Sequence, residues 1–178
     1  MKKKVTRLLL AGGVLLASAS AWAQHPDAVM GTGKTEVRYD KPEQFADLSF
    51  DPRKREEALQ ELTRHFDKLG ASLPAGQHLQ IVVTDIDLAG REDPQLRSAN
   101  EIRVMTGGAD WPRISLSYVL EQDGKVIRRA DAQLSDMSYL NRMNRYPGGE
   151  RLRYEKLMID EWFAKTFHIP LNRPNRSS

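Results

Sequence analysis

Asp85 and Asp87, separated only by Ile86 at the end of an apolar run, are the residues best spaced for chemistry. In an extended strand alternate side chains share a face, so the two carboxylates stand roughly 7 Å apart. That spacing suits a divalent cation held between oxygens, or one acid working with one base. It equally suits a structural role, in which the carboxylates accept N–H groups from the next loop or pair with Arg91 or Arg103. A second group falls in two loops: Arg103, Trp111 and Arg113 in one, Asp136, Tyr139, Arg142, Arg145 and Tyr146 in the other. Aromatic rings beside guanidinium groups make good interaction surfaces, because they combine large contact area with directional bonding. A hairpin that brought both loops to one end of a sheet would set them around the Asp pair. Otherwise Trp111 and Tyr139 close the end of the core and the arginines stay solvated.

The remaining candidates argue against an enzyme. His25, His65, His78 and His168 fall in a lead, a helix, a loop and a terminus, and no two have metal-ligand spacing. His65, next to Phe66, is expected on the exposed side of its helix. The chain has no cysteine, which removes thiol catalysis and thiolate-bound zinc. There is no Gly-x-Ser-x-Gly elbow, phosphate-binding loop or dinucleotide fingerprint. The pattern favours a non-catalytic protein without a cofactor. The alternative is a metal-binding protein or a hydrolase centred on Asp85 and Asp87, since two carboxylates suffice for glycoside chemistry.

The first 23 residues bear on location. Lys2, Lys3, Lys4 and Arg7 precede a short apolar run from Leu8 to Leu16, and Ala21-Trp22-Ala23 follows. This is the pattern of a cleaved secretory signal, and the run is shorter than the roughly 20 residues a membrane helix needs. The mature chain is expected to begin at Gln24, in the periplasm or outside the cell, with no stable membrane insertion. The whole chain carries 27 Lys and Arg against 24 Asp and Glu. Four of the bases and none of the acids lie in the signal, leaving 23 against 24, a net charge of −1. That balance offers no electrostatic case for binding nucleic acid.

Residues 24–34 read as a flexible lead, 35–168 as one domain and 169–178 as a polar tail. Thr35 to Tyr39 alternates as a strand. Asp51-Pro52 caps a helix whose apolar face is Ala58, Leu59, Leu62, Phe66 and Leu69, ending at Gly70. Leu79 to Leu88 predicts a central strand with Leu79, Ile81 and Val83 on one face and Val82, Ile86 and Leu88 on the other. A short strand near Ile102 to Met105 follows, then a hairpin around Asp123-Gly124 joining Ile114 to Leu120 with Val126 to Leu134. A second amphipathic helix carries Leu152, Leu157, Ile159, Trp162, Phe163 and Phe167. The expected fold is α+β: a single two-layer domain with a mixed, mostly antiparallel sheet of four to five strands and two amphipathic helices on it.

Val83 to Gly90, Ile102 to Val104, Trp111 to Ile114, Leu134 to Tyr139 and Tyr154 to Lys156 occur in an order that resembles the family catalogued as domain of unknown function 3016. The resemblance spans roughly Thr35 to Phe167. It implies a small exported protein of Gram-negative bacteria and assigns no activity, cofactor or catalytic residue. The leading expectation is a periplasmic binding or accessory module that meets an envelope protein or small ligand through Trp111, Arg113 and Tyr139. A third possibility is a dimer joined through an exposed edge strand, with the first strand as the candidate.

Overall fold

Asp51 caps the first long helix as its sequence requires: its carboxylate accepts the Arg53 N–H at 2.8 Å, and Pro52 occupies the first turn. The computed structural model describes residues 34–49, 51–92 and 103–170; the expected signal at 1–23, the expected lead up to residue 33 and the expected tail beyond residue 170 lie outside these. Chain order is β1 (Thr35–Tyr39), a 3₁₀ turn (Pro42–Gln44), α1 (Pro52–Gly70), β2 (Gln77–Asp87), β3 (Arg91–Glu92), β4 (Arg103–Val104), β5 (Arg113–Gln122), β6 (Lys125–Ser135) and α2 (Arg153–Phe167). Lys34, expected in the lead, is tied down: its Nζ donates to Leu73 O at 2.7 Å and its carbonyl accepts the Leu79 N–H at 2.8 Å.

The main sheet has the order β1-β2-β5-β6. Helix α1 carries the chain back along the sheet, so β1 and β2 run parallel, while the other two pairings are antiparallel. Asp123 and Gly124 form the hairpin turn, both at positive φ (50° and 77°), which matches the right-handed twist of the flanking strands. The expected short strand exists as β4. It pairs with β3 in a separate two-stranded ribbon, not with the main sheet.

Strand β2 departs from simple alternation. Its register with β5 runs from Val83 opposite Leu116 directly to Asp85 opposite Ser115, leaving Thr84 as an extra residue. This bulge reverses the side-chain parity. Ile86 and Leu88 therefore join Leu79, Ile81 and Val83 in the core, correcting the expectation that they face the other way. The two aspartates turn outward.

Both helices cover one face of the sheet. Leu62 and Phe66 from α1 meet Ile159 and Phe163 from α2 in a single core. Trp162 joins them edge-on to Phe66 and Tyr118, at centroid distances of 6.4 and 5.6 Å. Helix α2 is more enclosed than an amphipathic pattern implies, with every residue from Glu155 to Asp160 buried. Three of these are charged, so the polar atoms need partners inside the protein.

Gly70 is where α1 meets β1. A Cβ there would overlap the hydroxyl of buried Thr35 and come within 3.0 Å of its Cβ. Gly70→Ala should lower unfolding stability by about 1–3 kcal/mol in urea titrations, with a smaller loss in a Thr35→Ala background.

Candidate functional site

Asp85, Asp87, Arg103, Trp111 and Arg113 converge at the end of the sheet where β2 finishes and β5 begins, whereas Arg145 and Tyr146 lie with Asp160 beside the helices. The bulge sends Asp85 and Asp87 to the face away from the helices, and each is already engaged. Asp85 Oδ1 accepts the Ala46 N–H at 2.8 Å. Asp87 stands opposite Arg113 across the strands and forms an ion pair with it. The Arg113 guanidinium lies over the half-buried Trp111 ring, 5.2 Å from its centroid, while its side chain remains 46% exposed. Asp87, Arg113 and Trp111 thus form one stack, with the acid fixing an arginine that faces solvent on an aromatic support.

Arg103 does a different job. Its Nε donates to Ala89 O at 2.8 Å, and one terminal nitrogen donates to Asp47 Oδ2 at 2.6 Å and Gly90 O at 2.8 Å. The guanidinium therefore fastens β4 and the turn before α1 to the chain leaving β2. Two clefts flank it. One, about 350 Å³, lies between α1, the β3–β4 ribbon and the start of α2, with Lys54, Glu92, Met105, Arg153 and Glu155 among its lining residues. The other, about 320 Å³, is bordered by Asp47, Asp87, Arg91 and Asp110. At the first cleft, Glu155 Oε1 accepts the Ala89 N–H at 2.7 Å. Burial raises its pKa, and hydrogen bonds to the Ala89 and Glu155 backbone N–H groups offset only part of that rise.

Tyr139 and Asp136 lie deeper than an interaction surface requires. Tyr139 is 2% exposed and packs edge-on against Tyr154 at 4.9 Å. Burial, with the neighbouring Asp110 carboxylate, pushes its hydroxyl up to about 12. Asp110 is held below the ordinary carboxylate range: burial would raise it, but the Thr106 N–H and hydroxyl, at 2.7 and 2.8 Å, outweigh that. Asp136 caps its own turn by accepting the Ser138 N–H at 3.1 Å, and pairs with Arg142 at 2.7 Å. Arg142 also grips both Glu161 oxygens at 2.8 Å, tying this loop to α2. Tyr139 therefore plugs the core end, while Trp111 and Arg113 face outward.

Residues 33–165 match the family DUF3016, described as a protein of unknown function. The chain belongs to that family. No curated protein and no solved structure matches it. Among the described residues of this DUF3016 chain, no three His, Asp or Glu side chains gather closely enough to hold a metal ion. No described helix is long and apolar enough to cross a membrane.

The DUF3016 domain also contains a buried polar cluster in which Arg145 and Tyr146, expected at the loop surface, meet His65 and Asp160, which sequence reasoning did not place there. His65, expected to be exposed, is 6% exposed, and its Nε2 lies 2.9 Å from Asp160 Oδ1. The other Asp160 oxygen accepts from the Tyr146 hydroxyl at 2.7 Å and from Arg145 Nε at 3.0 Å. Beside it, Lys156 Nζ reaches Glu61 at 2.6 Å and also pairs with Glu150. His65 is inward because the loop at 141–150 crosses over the groove between the helices, so a position one residue from Phe66 is also covered. The available signal was Lys156 and Asp160 flanking Leu157, Met158 and Ile159: charges inside an apolar run must be either solvated or paired.

Burial alone would raise the Asp160 pKa, but its bonds from His65, Tyr146 and Arg145 outweigh it and hold the carboxyl below the usual range. A pKa lower in the folded state stabilises fully above the ordinary carboxylate range, and that stability is lost as pH falls through the folded value. Asp160→Asn should therefore cost about 3 kcal/mol near neutral pH, because it leaves Arg145 and His65 without their anion. Denaturant titrations from pH ~7 to ~3 should show the wild type losing more stability than the variant on acidification.

Proposed function

We propose that this chain is an exported periplasmic protein, a non-catalytic binding or accessory module that meets an envelope partner with the loop end carrying Trp111 and Arg113. The observation behind this reading is the stack at that end. Arg113 is held by Asp87, supported by Trp111 and half exposed, so its orientation is fixed before any partner arrives. Preorganised aromatic and arginine side chains lose little freedom on binding, which is why they dominate interface energetics. Tyr139 supports this surface from within the core and does not itself reach a partner. Export is supported by the basic start, short apolar run and small residues around Ala23. A metal or hydrolytic centre at Asp85 and Asp87 has weaker support, because one carboxylate is committed to the Ala46 N–H and the other to Arg113.

The test is crosslinking in intact cells expressing the full chain, followed by recovery from the envelope fraction. The recovered protein should begin at Gln24. Trp111→Ala and Arg113→Ala should each lose a partner captured by wild type, with melting temperatures within about 3 °C of wild type. Retention of the wild-type partners by both variants would overturn the assignment of this surface, and a chain found only in the cytoplasm would overturn export.

A further inference from the structure

The outer side of β6 is an open edge: among the described residues no strand lies beyond it. It is 11 residues long, against five for β1 at the opposite edge, so it offers more main-chain donors and acceptors. Near its start Val126 and Ile127 are 52% and 53% exposed. The register with β5 has one irregularity, between Leu120 and Glu121, and runs unbroken from Arg128 to Ser135. Within that stretch the faces are distinct. Ala130 stands opposite Tyr118 on the helix-covered side, whereas Arg129 and Asp131 stand opposite Val119 and Ser117 on the other. Arg128 is drawn back over the helix side, its guanidinium donating to Thr166 O and lying 5.9 Å from the Tyr118 centroid.

We infer that β6 pairs antiparallel with β6 of a second copy, joining two four-stranded sheets into one. The charge sequence of the strand carries the argument. A two-fold axis normal to the sheet keeps helix-facing residues opposite helix-facing residues, so it must pass through a residue and not between two. Centred on Arg128 or Arg129, the axis sets an arginine against its own copy. Centred on Asp131, it sets the two carboxylates together. Centred on Ala132, it matches no charges. Centred on Ala130, it sets Arg129 of each copy against Asp131 of the other, two opposite-charge pairs flanking a small residue that allows close approach. Lysine and arginine on an edge strand ordinarily discourage pairing. Here Asp131 supplies the complement, so the charges that repel other strands select an antiparallel copy of this one.

The test is sedimentation velocity of the protein purified after expression of the full chain, across roughly 1–300 µM. Wild type should pass from monomer to dimer over that range. Arg129→Asp and Asp131→Arg each place like charges opposite each other twice, and each alone should weaken the dimer by at least about tenfold. Mixing the two variants should restore dimerisation, because the acidic strand of one then faces the basic strand of the other at both positions. That recovery also shows that both variants are folded. A wild type that stays monomeric throughout would overturn the proposal, as would a dimer indifferent to the single substitutions or one that mixing does not restore.

Discussion

The Asp160 carboxylate is the point on which the helical layer depends. It sits on α2 and receives His65 from α1 together with Arg145 and Tyr146 from the loop that crosses both helices. Three segments distant in sequence thus share one buried anion. Burying a charge is unfavourable unless it is paired and hydrogen-bonded, so the arrangement is stable only when all three segments are in place. That is a constraint on geometry more than a source of net stability: apolar residues could fill the same space, but would not require this one crossing of loop over helices. Lys156, with Glu61 and Glu150, repeats the device one turn earlier.

A second set of ties works at the sheet end in the same way. Arg103 collects carbonyls from Ala89 and Gly90 and a carboxylate from Asp47, and Glu155 holds the Ala89 N–H from the opposite direction. Ala89 and Gly90, where the chain leaves β2, are thereby given partners that a sheet would otherwise supply. With that region fixed, Arg113 and Trp111 can project outward from a firm base. The domain has no cysteine, so this anchoring rests on hydrogen bonds and ion pairs, without covalent links.

The local elements were legible in the sequence because their signals are local. Asp51-Pro52 and Gly70 bounded α1, Asp123-Gly124 marked the hairpin, and Thr35 to Tyr39 formed the strand that its alternation implied. The α+β arrangement followed from two helices needing a sheet to cover. Features created by packing were not legible. The exposure of His65 depends on a loop some 80 residues downstream in sequence, and the outward turn of Asp85 and Asp87 depends on one unpaired residue in β2. Of the site candidates, the pairing of Asp87 with Arg113 and the stacking on Trp111 are geometric consequences of strand register. For Tyr139 the sequence left surface and core plug both open, and its burial, like that of Asp136, is decided only by how the loop folds back.

Thr84 gives β2 a reading frame. Residues before it follow one parity and residues after it the other, so Leu79, Ile81, Val83, Ile86 and Leu88 all reach the core although their spacing is uneven. The strand therefore tolerates changes of residue type much better than changes of length. Pairing Thr84 as an ordinary strand residue would carry Asp85 and Asp87 inward and Ile86 outward together, exchanging charge for hydrocarbon in the core, whereas deleting Thr84 itself would leave a regular strand with the same faces. In evolutionary terms, substitutions can accumulate along this strand one at a time. An insertion or deletion elsewhere in it would survive only when a second one nearby restores the count.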